Sequence, residues 1–233
     1  MSETSIPVVT IDGPAGSGKG TVAQQLAKNL QFHYLDSGAM YRILALLSQK
    51  QNMAVDDTQG LIGLCKNMQV AFGGCDEESN ATTTENVPVL LNGQEVSSEL
   101  RTEECAGRAS QVAAQPELRE ALLDKQRCFR KSPGLVAEGR DMGTVVFPDA
   151  RHKFFLTASA SERALRRQKQ LMKQGISASL GSLLKDIETR DSRDQDRKVS
   201  PLRPATDAQI VDSTELSIEQ VVSQITQQVR GRQ

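Results

Sequence analysis

Residues Val8 to Thr21, VVTIDGPAGSGKGT, decide the fold. A β-branched apolar run is followed by a glycine-rich loop ending in Lys19 and then by helix-forming residues, which gives the order strand, phosphate loop, helix. Gly13, four intervening residues, Gly18 and Lys19 have Walker A spacing, in which backbone N–H groups encircle a β-phosphate and the ammonium reaches β- and γ-oxygens. Gly13, Gly16 and Gly18 admit positive φ and close approach to an anion, and the helix from about Gly18 presents its positive end to it. The Ser or Thr that usually follows the lysine and ligates magnesium is here Gly20, with the hydroxyl moved to Thr21. Mg2+ is therefore expected to be held mainly by phosphates and waters, a mode that its reluctance to dehydrate allows.

Beyond this stretch the chain alternates between strand and helix signals. Val22, Leu26 and Leu30 recur at helical spacing, and Phe32 to Leu35 reads as a strand. Asp36-Ser37 is an N-cap and, at the end of a parallel strand, also a ligand position; the two readings are compatible. Helices are expected over Ala39–Gln49 and Asp56–Asn67, then short strands over Gln69–Phe72, Val87–Leu91 and Gln94–Val96, the last two turned at Asn92-Gly93. Thr102–Ala114 and Glu117–Arg130 are helical, divided at Pro116. The apolar strand Leu135–Ala137 delivers Glu138-Gly139-Arg140-Asp141, charges that are costly to bury unless they pair or bind a ligand. Lys153–Leu156 and Gln209–Val211 are further strands, and capping boxes at Ser159/Glu162 and Ser217/Gln220 open helices. The helix Ser161–Lys173 carries Arg163, Arg166, Arg167, Lys169 and Lys173, which is either a solvated face or, with the arginines of Ile187–Arg203 across a turn at Gly175, a lid that closes on phosphates. Val221, Val222, Ile225 and Val229 form the apolar stripe of the closing helix.

The expected fold is α/β, a parallel sheet flanked by helices in one domain spanning 1–233. Its core is 1–67, 101–158 and 204–233, with a β-rich insert at about 68–100 and a lid at about 159–203. A length of 233 residues with 38% hydrophobic content suffices for such a core. The net charge of −1 gives no overall field for nucleic acid or membrane, and 3% aromatic residues without Trp leave little for a single-strand stacking surface. Cys65, Cys75, Cys105 and Cys128 lack metal or CxxC spacing and read as packing thiols, and the start MSETSIPVVTID has no basic leader, so a cytoplasmic protein is expected, while the lack of a broad apolar surface signature favours a monomer. His33 and His152 read as incidental. Guanine (NKxD) and DxxG motifs are not found in suitable places, and the strand after which a motor ATPase would carry its Walker B acid is followed by Glu138-Gly139-Arg140-Asp141, with arginine where an acceptor phosphate could lie, which favours a small-molecule kinase.

The loop form GxxGxGKGT resembles that of nucleoside monophosphate kinases. Over Ile6 to about Val229, the segments IDGPAGSGKGT, LDSGAMYR, ASQVAAQPELREALL, EGRDMGTVVFPDA, RDSRDQDR and VDSTELSIEQV together resemble the bacterial-type cytidylate kinases. The resemblance implies phosphoryl transfer from ATP to CMP or dCMP. It implies ATP binding by Gly13, Pro14, Ala15, Gly16, Ser17, Gly18, Lys19, Gly20 and Thr21, with Lys19 on the β- and γ-phosphates. Ser37, Arg42 and Arg140 would meet the CMP phosphate, and Ser110, Arg119 and Asp141 the cytosine, the carboxylate accepting from the amine that uracil lacks. Arg190 and Asp194 would reach the sugar, and Arg197 with Arg163 or Arg167 would close on the transferred group; Lys19, Arg140, Arg190 and Arg197 are the catalytic candidates. The acceptor oxygen is already ionised, so no general base is needed. The alternatives are another P-loop kinase, for UMP, AMP or shikimate, and a nucleotide-binding protein without turnover.

Overall fold

Every residue of β1 (Val8–Asp12) is buried, as in a parallel sheet covered on both faces, Thr10 and Asp12 included. In the computed structural model, which describes residues 6–73, 87–173, 175–197 and 199–231, this strand lies third in a five-stranded sheet. The order is β2 (His33–Asp36), β6 (Leu135–Gly139), β1, β7 (His152–Thr157), β8 (Gln209–Asp212). β1 runs parallel to β7 with Val9 opposite His152, and β7 parallel to β8 with Phe154 opposite Gln209. The polar stretch Asp76 to Asn86, Cys75 and Lys198 lie outside the described residues. By internal contacts the chain divides into two units, Met1–Pro7 with Gln31–Ala137, and Val8–Leu30 with Glu138–Gln233.

In the second unit, α1 (Lys19–Leu30) buries Val22, Ala23, Leu26 and Ala27, and α9 (Ile218–Gly231) packs on it through Val221, Val222, Ile225 and Val229. The two capping boxes differ. Ser217 and Gln220 form the reciprocal pair, N–H to Oε1 at 2.8 Å and N–H to Oγ at 3.3 Å. Ser159 Oγ accepts from Glu162 N–H, but Glu162 turns its carboxylate to Arg166, and Ser159 N–H donates to Thr214 Oγ1. α7 (Ala160–Lys173) and α8 (Leu180–Gln195) pack together, with Gly175 in the left-handed conformation (φ 76°) just after α7.

Within the first unit, Asp36 caps α2 (Ser37–Lys50) by accepting from Ala39 N–H at 2.9 Å. α2 packs on α5 (Glu103–Val112), which Thr102 caps, and α3 (Thr58–Asn67) packs on α6 (Pro116–Arg127). An antiparallel sheet of β3 (Val70–Phe72), β4 (Val89–Leu91) and β5 (Gln94–Glu95) turns at Asn92 and Gly93, both at positive φ as a type I′ turn requires. The short α4 (Ser97–Leu100) follows. Regular α6 stops at Arg127, short of the expected Arg130, because Phe129 and Arg130 bond three residues back. Cys128 is exposed, which corrects the packing reading for that thiol; Cys65 and Cys105 are buried and burial pushes both thiols up.

The α1–α9 contact is the main cover on one side of the phosphate-loop helix. Leu26→Ala, at a fully buried position, is expected to cost about 2–5 kcal/mol. Urea unfolding checks this, and a loss below about 1 kcal/mol would deny the packing role.

Candidate active site

The loop from Gly13 to Gly18 is held from outside by its carbonyls. Arg140 Nη1 donates to Gly13 O (2.9 Å), Lys19 Nζ to Pro14 O (3.3 Å) and Arg163 Nη1 to Ala15 O (3.0 Å). Ser17 O accepts from Arg166 Nη1 (3.3 Å) and Ser213 Oγ (3.2 Å). Among the described residues, the N–H groups of Ala15, Gly16, Ser17 and Gly18 donate to no protein acceptor. Peptide dipoles anchored by their oxygens leave their N–H ends available, so the loop is a ring of unspent donors at a helix N-terminus, which is an anion site. Gly13 is also fixed sterically: a Cβ there would stand 2.1 Å from Leu156 O.

Gly20 has a structural reason as well. A Cβ at this position would meet Glu138 Oε1 at 3.3 Å, and Glu138 Oε2 lies 3.9 Å from Lys19 Nζ. The place of the usual hydroxyl residue is thus taken up by a buried carboxylate. β6 extends through Glu138 and Gly139, two residues beyond the apolar run, because the lysine compensates the acid's charge there.

Around the loop, arginines and aspartates pair. Arg140 Nε meets Asp194 Oδ2 at 2.8 Å, Arg197 donates to the other oxygen, and Asp194 is only 1% exposed. Arg163 binds both oxygens of Asp191 and also donates to Ala158 O. At 4% exposure Arg163 is no part of a solvated helix face, and Arg166, pinned to Ser213 and Ser17, is not either. Arg167 matches that reading better, with Nη1 on Gln170 at the surface. Arg190 lies on α8, half-buried.

The strand that leads into the loop carries, at its last residue, an acid that sequence reasoning passed over. Asp12 accepts from the N–H groups of Met142 and Gly143, each at 2.8 Å. Burial pushes its carboxyl up to about 7, with the nearby Asp141 adding to the rise, against the two amides and Lys19. Asp141 itself is buried and opens a wide helical turn, Met142–Val146, with bonds five residues back, Val146 N–H to Asp141 O and Phe147 N–H to Met142 O. That turn was not foreseen from the sequence. Its signal was the polar Asp12 closing an otherwise apolar strand.

In the other unit, Ser37 is the buried first residue of α2, and Arg42 one turn on donates to Leu100 O at 2.9 Å. Arg119 is buried on α6, donates to Ala113 O and lies over the Tyr41 ring, 5.5 Å from its centre. Ser110 sits on α5, half-buried.

A loop of this build on a parallel α/β sheet defines the class: a P-loop nucleotide-binding protein, of the kind that moves phosphoryl groups. The family model for cytidylate kinase matches residues 9–231. The chain is 52% identical over 229 residues to the cytidylate kinase of Nitrosococcus oceani, covering 97% of both chains. It is 51% identical over 226 residues to those of Citrobacter koseri and Escherichia coli O1:K1, covering 97% of this chain and 96% of each relative. The chain belongs to the cytidylate kinase family.

Two measurements follow from this geometry. Gly13→Ala is expected to weaken ATP binding by at least about tenfold, since the Cβ must displace Leu156 O or the loop; calorimetric titration with ATP reads this. Asp12 has its folded pKa raised above the ordinary 3.8, so the stability it lends is full below that value and is lost as pH rises through about 7. From pH 5 to pH 8 the urea unfolding free energy of the parent is therefore expected to fall relative to that of Asp12→Asn. A constant difference would contradict a buried, titrating Asp12.

Proposed function

We infer that the chain transfers the γ-phosphoryl group of ATP to CMP or dCMP, giving ADP and CDP or dCDP. The observation that carries the ATP half is the ring of uncommitted N–H groups over Ala15–Gly18, with its carbonyls held outward and Lys19 at the helix start. Membership of the cytidylate kinase family supplies the acceptor.

An oxygen of the CMP phosphate attacks the γ-phosphorus, the bond to the β-phosphate's bridging oxygen breaks, and ADP leaves with that electron pair. The attacking oxygen carries no proton at neutral pH, so this chain's residues align and neutralise rather than deprotonate. In this reading Lys19 and the loop donors from Gly13 to Thr21 hold the ATP phosphates. Ser37, Arg42 and Arg140 take the acceptor phosphate, Ser110, Arg119 and Asp141 the base, and Arg190 and Asp194 the sugar. Arg197 serves the transferred group. Arg163 reaches Ala15 O from its pair with Asp191, so its part is to brace the loop, and Arg167 stays the more exposed lid candidate.

Magnesium, the ion that accompanies ATP, supplies charge neutralisation at the phosphates when bound. In this reading the ion is carried mainly by phosphates and waters, because Gly20 stands where the usual hydroxyl ligand would be. Glu138, beside Lys19 and Gly20, is the carboxylate that would accept from those waters. No helix among the described residues is long and apolar enough to cross a membrane, and a cytoplasmic monomer is consistent with the reading.

ADP production from Mg-ATP, with CMP, dCMP, UMP and AMP offered separately, tests the function. Turnover with CMP and dCMP is expected, and turnover with AMP alone would overturn the acceptor assignment. Lys19→Ala is expected to lower kcat by about 100-fold or more with folding retained, as loss of a preorganised cation does. Asp141→Ala is expected to shrink the ratio of kcat/KM for CMP over UMP by about tenfold or more, since the amine-reading carboxylate is gone.

A further inference from the structure

We propose that Asp12 is a positioning residue whose buried carboxylate, clasping the amides of Met142 and Gly143, sets the direction in which Asp141 is presented and thereby the preference for cytosine. The proposal rests on the reading that Asp141 recognises the base. Asp12 and Gly13 together tie down the segment that follows β6 at four points. Gly13 N–H donates to Gly139 O at 3.3 Å, Gly13 O accepts from Arg140, and the two oxygens of Asp12 accept from Met142 and Gly143. Arg140 and Asp141 therefore project from a backbone fixed immediately before and immediately after them. Without the clasp, Asp141 would hang at the mouth of a single wide turn, a form of helix that is rare and weakly held by its own bonds.

The fit is specific to a carboxylate against a glycine. A Cβ on Gly143 would stand 2.9 Å from Thr10 Oγ1 and 3.4 Å from Asp12 Oδ2, so no larger residue lets the acid reach both amides undisturbed. Thr10 Oγ1, fully buried on the same strand, has no hydrogen-bond partner, so the hydroxyl offers the turn no substitute acceptor bond. Asparagine at 12 has one acceptor oxygen and would set its own NH2 against the second N–H. Charged groups facing Asp12 are Asp141 and Lys19, with Glu138 beside Lys19, and the Lys153 stem beside Gly143 with its ammonium turned to Asp207 and Pro148 O. A carboxylate kept at such a buried place, next to a second acid, is costly for stability, and two short N–H bonds to one turn are what it secures.

The experiment compares parent, Asp12→Asn, Gly143→Ala and Asp141→Ala by kcat and KM for CMP, UMP and ATP between pH 6 and pH 8. Asp12→Asn is expected to raise KM for CMP and to narrow the CMP/UMP ratio of kcat/KM by about tenfold or more, the scale of an ångström-sized misplacement, with the smaller effect on KM for ATP. In the parent the CMP/UMP ratio is expected to fall as pH is lowered through about 7 and Asp12 gains a proton; in Asp12→Asn it stays flat across that range. Gly143→Ala keeps the acid, pushes the amides away, and is expected to reproduce the loss of CMP preference, which keeps the test open if Asp12→Asn does not fold. A parent-like ratio in both variants, with the ratio collapsed in Asp141→Ala, overturns the proposal and leaves base reading by Asp141 standing. A parent-like ratio in Asp141→Ala removes that reading, and the proposal with it.

Discussion

A ring of N–H groups binds phosphate only if no protein carbonyl claims those donors first, and that constraint organises the unit around β1. The loop meets it by having the carbonyls of Gly13, Pro14, Ala15 and Ser17 taken by side chains, those of Arg140, Lys19, Arg163, Arg166 and Ser213. Those partners come from five places: β6's end, α1, two turns of α7 and the segment after β8. Packing of α7, β7 and β8 is thus a requirement of the loop's chemistry as much as of the core.

The same cations need counter-charges. A buried guanidinium with no acid nearby is costly, and Arg163 at 4% exposure meets Asp191 through both nitrogens of its fork, the geometry that makes such a pair tolerable. Asp194 serves two arginines at once. It stands on the last turn of α8, three residues before Arg197, so the chain just past the helix supplies one partner and the segment that follows β6 supplies the other.

Much of this was legible in the sequence. The phosphate loop, the strand before it and the helix after it, the I′ hairpin at Asn92-Gly93, the Asp36 cap and the stripe of α9 are local patterns, and each forms where its residues indicate. What remained hidden depends on partners distant in the chain. Asp12 and Gly143 are 131 residues apart, and Arg140 and Asp194 are 54 apart, so no window of spacing reveals either pair. Glu138 misled for a related reason: its polarity reads as the end of a strand, whereas Lys19 makes it a strand residue. Ser159 and Glu162 matched a capping box, but Arg166, a turn further on, competes for the same carboxylate and prevails.

The pairing of arginines with aspartates also governs what the protein ignores. Cations already answered by carboxylates at 2.5 to 3.1 Å project little potential into solution, and the chain's net charge of −1 adds none. Extended polyanions such as RNA are captured through rows of uncompensated positive charge that release counterions, and the paired Arg140, Arg163 and Arg197 are not such a row. A mononucleotide is different, because it can present a compact dianion at the depth where Asp194 and Asp191 sit and compete for their guanidinium groups one by one. At these guanidinium groups, internal compensation favours a compact phosphate over an extended one.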